Sequence, residues 1–387
     1  MLPAHLQKLP APSADALAHS ARLIERIARE IAAAGGWLSF ARYMELALHA
    51  PGLGYYSAGS TKFGTAGDFV TAPTLGRVFG RTLAHLAAQI LHAGIPDLVE
   101  LGAGDGRLAR DLLAELEILG SLPQRYLILE TSADLRARQR DLLRRDVPHL
   151  AGRVEWLDTL PAALTALVLG NEVLDAMPVH IIEVSAGGVA ERGVTLARGE
   201  FQWQSRPATG ALLAAAQALA LPPGYITEIN LAAQSFVATL AAALERGVAL
   251  FIDYGFPARE YYHAQRSTGT LMCHYRQHAH DDPLCLVGLQ DITAHVDFSA
   301  LAAAAARDGL DLLGYASQAQ FLINCGITDV LAATPAENAA AYLPQAAQAQ
   351  KLMSPAEMGE LFKVIALGRG YAEPLAGFAR GDKSGQL

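Results

Sequence analysis

Leu98-Val99-Glu100-Leu101-Gly102-Ala103-Gly104-Asp105-Gly106 decides the fold of this chain. An apolar run enters the stretch, three glycines alternate through it, and a helical pattern at Leu108, Leu112, Leu113 and Leu116 leaves it. This predicts a strand, a tight turn and a helix N-terminus whose bare N–H groups face a ligand. The glycines provide positive φ, close approach to the ligand and tight strand–helix packing. Two details argue against NAD. The spacing is Gly-x-Gly-x-Gly rather than GxGxxG, and Glu100 stands on the strand before the first glycine. A carboxylate there repels a pyrophosphate but pairs with an ammonium. S-adenosylmethionine (SAM) carries that ammonium and has no phosphates.

Outward from this turn, Arg125–Glu130 forms a second strand ending in an acid, and Glu130 is suited to accept from both ribose hydroxyls of a nucleoside. A third strand, 154–157, ends at Asp158, where an adenine amino group could be received. Strands at 98–103, 125–130, 154–157, 166–171 and 248–254 alternate with helices. That rhythm predicts an α/β, doubly wound, mostly parallel sheet. Residues 180–205 interrupt it with three short alternating runs, an inserted β-meander. Further strands are expected near 291–296, 312–315 and 364–367, with Ala-rich helices at 299–307 and 337–350. Upstream lie an amphipathic helix at 14–34 and a Ser39-capped helix to His49. A loop of glycines and aromatics follows at 52–73, then a helix from Leu75 to Ala93.

The chain has 387 residues, 52% of them hydrophobic, enough for one elaborated domain or two. A net charge of −8 argues against nucleic acid and against anionic membranes. Pro207–Thr227 is uncharged, but Pro222 and Pro223 break it, so no membrane insertion is expected. Cys273, Cys285 and Cys325 make no disulfide framework and no CxxC pair, which points to a reducing, cytoplasmic setting.

The fourth and fifth strand ends carry the candidate chemistry, because open α/β sheets bind ligands beyond those ends. The fourth reads Asn171-Glu172-Val173-Leu174-Asp175-Ala176-Met177-Pro178. A helical turn beginning at Glu172 would place Glu172 and Asp175 on one face. Paired carboxylates beside a sulfonium suit a cationic nucleophile, arginine above all. A bidentate carboxylate fixes the guanidinium plane and concentrates electron density on one terminal nitrogen. An Asn/Asp-Pro-Pro-aromatic sequence, which would favour adenine or glutamine amide nitrogens, is absent. At the fifth strand end, Asp253 either accepts from substrate or holds the Glu172 loop, with Tyr254 beside it. Cys273–Asp282 is rich in thiol, imidazole and carboxylate, but its spacing matches no zinc finger and no metal is expected. It reads as a polar wall or a structural loop, with Gln290, Asp291 and His295 nearby.

Together, Gly54-Tyr55-Tyr56, Phe63-Gly64 through Gly67-Asp68-Phe69, Thr71-Ala72-Pro73, the Glu100–Gly106 turn, Asn171–Pro178, Asp253-Tyr254-Gly255 and Gly288–Asp297 resemble the MidA-type class I methyltransferases. The mitochondrial members of that family are complex I assembly factors. The resemblance spans about residues 37–370. It implies a seven-stranded Rossmann-like sheet, a helical N-terminal region (1–93) and a SAM-binding domain (94–370). Insertions at about 180–225 and 256–297 would form the substrate region, and 371–387 a tail. It further implies SAM as methyl donor and methylation of a protein arginine, in the mitochondrial branch on a complex I subunit. Gly67, Asp68, Phe69, Thr71 and Pro73 would then belong to a lid over the cofactor, and Glu172 would hold the guanidinium. Asn171, Asp253, Tyr254 and His274 are the candidate substrate-side residues. Where the family has a Glu and, two residues later, a Ser after Thr71-Ala72-Pro73, this chain has Thr74 and Gly76. Two other readings stay open: a small-molecule methyltransferase whose meander and Trp203 shape the pocket, and a SAM-binding assembly chaperone.

Overall fold

A computed structural model describes residues 9–57 and 71–387. Contacts divide the chain into two compact units, one of residues 70–174, 234–257 and 297–387 and one of residues 1–69, 175–233 and 258–296.

The first unit is built on a mixed sheet. Its strands in chain order are β1 (Asp97–Leu101), β2 (Tyr126–Leu129), β3 (Val154–Leu157), β4 (Leu164–Asn171), β5 (Leu244–Phe256), β6 (Asp311–Ser317) and β7 (Phe362–Arg369). They lie in the order β6-β7-β5-β4-β1-β2-β3, and an eighth, two-residue strand at Val296–Asp297 pairs with β5. The β5–β4, β4–β1, β1–β2 and β2–β3 pairs are parallel; β7 runs antiparallel between β5 and β6. The central architecture is therefore the mostly parallel α/β sheet expected from the alternation of strands and helices.

Parallel strands covered by helices on both faces need unbroken apolar runs rather than alternation. Val248–Ile252 is such a run, with every side chain at most 2% exposed. Leu98 and Leu167 are equally buried and join Leu83, Leu86, Leu112 and Leu116 of the covering helices in one core. Each such side chain contributes roughly 1.5–3 kcal/mol of burial. Pairing with β4 at Leu244↔Leu164 and Arg246↔Thr165, across an irregularity, starts β5 before the expected 248–254.

One helix departs from expectation. The segment read as a single helix from Leu75 is two, Ala72–Leu75 and Val78–His92. Gly76 breaks it with φ 150°, where a Cβ would come within 2.2 Å of the Gln348 side chain. A distant neighbour imposes this break, which local periodicity does not record.

In the second unit, helices Ala14–Ala33 and Phe40–His49 are capped by Ser13 and Ser39. The expected meander is His180–Ser185, Gly188–Ala197 and Glu200–Pro207. It gains Leu38–Ser39 on one strand and Ile226–Ile229 on another, giving a five-stranded antiparallel sheet. A three-stranded sheet orders His278–His280, Met272–Tyr275 and Asp291–Thr293. Leu23, Ile27, Phe40, Met44, Ile181 and Val194 share this unit's core, so the N-terminal helices and the meander fold together. No described helix is long and apolar enough to cross a membrane.

Candidate functional site

The glycine turn follows β1 directly. Gly102, Gly104 and Gly106 take φ of 59°, 53° and 86°, a region that side chains on L-residues strain to reach. The Gly106 N–H donates to the Ala103 carbonyl at 2.8 Å, and helix Arg107–Ile118 starts from Gly106 as its N-cap. A Cβ on Gly106 would sit 3.2 Å from Gln139 Cα, so this glycine lets the helix carrying Gln139 approach the turn. Glu100, 3% exposed, accepts from the Tyr126 hydroxyl at 2.6 Å. Burial raises its carboxyl to about 7; the Tyr126 hydrogen bond opposes the rise, and Asp105 and Glu130 add to it.

Glu130 ends β2 in a comparably buried position. One oxygen accepts from the Ser132 N–H at 2.9 Å, the other from Gln139 Nε2 at 3.3 Å. Burial raises its pKa, while these hydrogen bonds pull the other way. Asp158, past β3, is different. Its side chain is 88% exposed and pairs with Arg136 at 2.7 Å, and the same guanidinium donates to the carbonyls of Glu130 and Leu157. Sequence reading missed Gln139. It is 0% exposed and also bonds the Gly104 carbonyl and the Trp156 indole. Its only sequence signal is a polar residue on the apolar stripe of helix Ala133–Asp146, alongside Leu135 and Leu143.

At the end of β4 the expected helical turn does not form. Residues 172–178 make bends and a turn, and Glu172, at φ 53°, is not itself part of a right-handed helical turn. The paired-face argument for Glu172 and Asp175 falls with it. Glu172 is instead held by tertiary contacts. Its Oε1 accepts from Asn171 Nδ2 at 3.0 Å and from the Ala72 N–H at 3.4 Å, and its Oε2 accepts from the Tyr254 hydroxyl at 3.1 Å. Asp253, 1% exposed, supports the turn from below. It accepts from the N–H groups of Val173 (3.1 Å), Leu174 (2.8 Å) and Tyr254 (2.9 Å). Of the two roles left open for Asp253, holding the loop is the one its contacts perform. Thr71 caps the short helix at Ala72, and its N–H donates to Thr74 Oγ1 at 3.0 Å. Thr74 thereby does locally what a glutamate does at the third position of a capping box. Pro73 sits inside that first turn, where its missing N–H costs nothing.

Asp175 and His274 belong to the second unit. Asp175 is buried, and its carbonyl accepts from the Ala294 N–H at 3.0 Å. His274 sits opposite Ala279 on one side and Asp291 on the other. Asp291 accepts from the Tyr56 hydroxyl at 2.8 Å, and the His49 ring stacks on Tyr56 at 5.5 Å. Burial together with Asp291 and Asp175 pushes the Tyr56 phenol well above its ordinary range. Gln290 donates to the carbonyls of Asp282 and Cys285, just past the Cys273–His280 hairpin. Among the described residues no group of His, Cys, Asp and Glu is arranged to hold a metal. Gly67, Asp68 and Phe69 lie outside the described residues.

A glycine turn at the point where strand order reverses, with acids at successive strand ends, defines a doubly wound enzyme with a nucleoside cofactor. A family model for S-adenosyl-L-methionine-dependent methyltransferases matches residues 74–316. A crystal structure from Burkholderia thailandensis, bound to S-adenosyl-homocysteine, superposes with a TM-score of 0.95 at 53% identity, covering 98% of this chain and all of that one. The mouse protein named protein arginine methyltransferase NDUFAF7, mitochondrial, is 30% identical over 86% of this chain and 81% of its own length. The zebrafish protein of the same name is 28% identical over 89% and 86%. The chain belongs to this family of SAM-dependent methyltransferases, and SAM is its cofactor. One expectation is overturned. The curated relatives are named mitochondrial, so the cytoplasmic setting inferred from the cysteines does not stand. Three free thiols report a reducing environment, and that is not the property of a single compartment.

Proposed function

We propose that this methyltransferase modifies a guanidinium nitrogen of arginine in a protein, with a respiratory complex I subunit or its bacterial counterpart as the target class. The observation that carries this reading is the Glu172 carboxylate. Three donors from separate parts of the chain hold it at the strand end, and its backbone is strained at φ 53°. Strain of this kind persists where surrounding structure over-determines a residue, and it clusters at functional sites. The names of the curated relatives support the same substrate.

Bound SAM supplies a methyl group on a sulfonium. Around it, Glu100 would receive the ammonium, the Gly102–Gly106 turn the amino-acid tail, Glu130 the ribose hydroxyls and Asp158 the adenine edge. On this reading the order β6-β7-β5-β4-β1-β2-β3 is that of a methyltransferase sheet. Glu172 pairs with the guanidinium by a charge-assisted hydrogen bond accepted at Oε2, and Asn171 and Tyr254 keep its carboxylate plane from turning. In-line methyl transfer needs little beyond such positioning, with reacting atoms roughly 3–3.5 Å apart.

Glu172→Gln tests the reading. It should retain thermal stabilisation by S-adenosylhomocysteine and lose methyl transfer by about 100-fold or more, since the guanidinium loses its counter-charge. The assay is transfer of labelled methyl to the proteome of a deletion strain, followed by mass spectrometry for methylarginine. A normal rate in Glu172→Gln, or label on a residue other than arginine, refutes it.

A further inference from the structure

We propose that Gln139 is a positioning residue of the cofactor site, its single amide, anchored on the Gly104 carbonyl, setting the plane of the Glu130 carboxylate. The inference rests on the reading of Glu130 as the ribose acid. The orientation of the amide is determined by its partners. The Trp156 indole N–H can only donate, at 2.8 Å, so it faces Oε1; the Gly104 carbonyl can only accept, at 2.9 Å, so it faces Nε2. With both ends assigned, the second N–H of Nε2 is left for Glu130 Oε2 at 3.3 Å. One side chain therefore joins the turn after β1, the acid after β2 and a residue of β3.

The Gln139–Glu130 bond is buried, and the bonds to Gly104 and Trp156 are partly so. Gln139 is 0% exposed, and Gly106 is the neighbour that lets its helix come close enough. The Ser132 N–H holds the other Glu130 oxygen at 2.9 Å. Beside these bonds the carboxylate can still accept from ligand hydroxyls. Without the Gln139 donor, Glu130 loses the one side-chain hydrogen bond seen on its Oε2, and its plane is less firmly set. A ligand with two ribose hydroxyls should register that loss; a ligand lacking them should not.

Calorimetry on the full chain with S-adenosylhomocysteine and its 2′,3′-dideoxy analogue tests this. The parent should bind the hydroxylated ligand about tenfold or more tightly than the analogue, the worth of hydrogen bonds to a charged group. Gln139→Leu should bring that ratio below about threefold while the analogue's own affinity stays within about twofold. Gln139→Met, of similar length and uncharged, likewise loses both donors and should show the same collapsed ratio, with thermal melts of each variant reporting that the chain still folds. A ratio unchanged in both variants, or equal weakening of both ligands, overturns the proposal. Glu130→Gln separates the failures. If it collapses the ratio and the Gln139 variants do not, only Gln139 is misassigned; if it leaves the ratio intact, the ribose reading of Glu130 has failed with it.

Discussion

Glu100 is poised to take up or release its proton near neutrality, because burial raises its carboxyl from 4.5 to about 7. Without cofactor, the folded chain holds this proton over a range where the unfolded chain has lost it. Stability from this group is therefore full below about pH 4.5 and declines as pH rises to about 7. An arriving ammonium favours the ionised form, so affinity for S-adenosylhomocysteine should fall as pH drops below 7, approaching tenfold per unit. Glu100→Gln should flatten both profiles; melting curves and calorimetry from pH 5 to 8 check them. Glu172 presents a second test at this scale. Its left-handed conformation costs about 1–2 kcal/mol for a non-glycine residue. Glu172→Gly relieves that strain but strips the acceptor from Asn171, Ala72 and Tyr254, so it should melt within roughly a few degrees of the parent while methyl transfer is lost, as thermal melts and the methylation assay would show.

The Asn171–Pro178 segment depends on a neighbouring element for its shape. Its first N–H groups are satisfied by Asp253, from β5, and not by a helix of their own. Asp253→Ala strands three amide donors and should destabilise the chain by about 3 kcal/mol or more, read by chemical denaturation. Asp253→Asn keeps one acceptor and should cost less. Strand β6 illustrates the same dependence at a sheet edge. Its Tyr315 N–H donates to Asp382 and its carbonyl accepts from the Lys383 N–H at 2.6 Å. The segment read as a tail therefore covers an edge that would otherwise offer unpaired backbone groups. Deleting residues 381–387 should produce concentration-dependent self-association, visible by light scattering.

At the scale of the molecule, the two units draw on segments interleaved along the chain, and this explains which parts of the site could be anticipated. The glycine turn, Glu130 and the alternation of strands with helices follow from patterns within a few residues of each strand. The second unit joins the N-terminal helices to strands from 180–207 and 272–293, and no local pattern announces which segments will pack together. The His49, Tyr56 and Asp291 contacts arise from that packing alone.

By itself the amino-acid order determined the parallel α/β sheet, its cofactor turn and the acids at its strand ends. Periodicity and positive φ are short-range constraints that neighbouring residues must satisfy together. Only the tertiary structure decided the break at Gly76, the left-handed Glu172 with its ring of donors, and the burial of Gln139 between three strand ends. Each of these depends on atoms brought close by folding: Gln348 against Gly76, Tyr254 against Glu172, Gly104 against Gln139. Such contacts belong to packing, which no stretch of a few residues encodes.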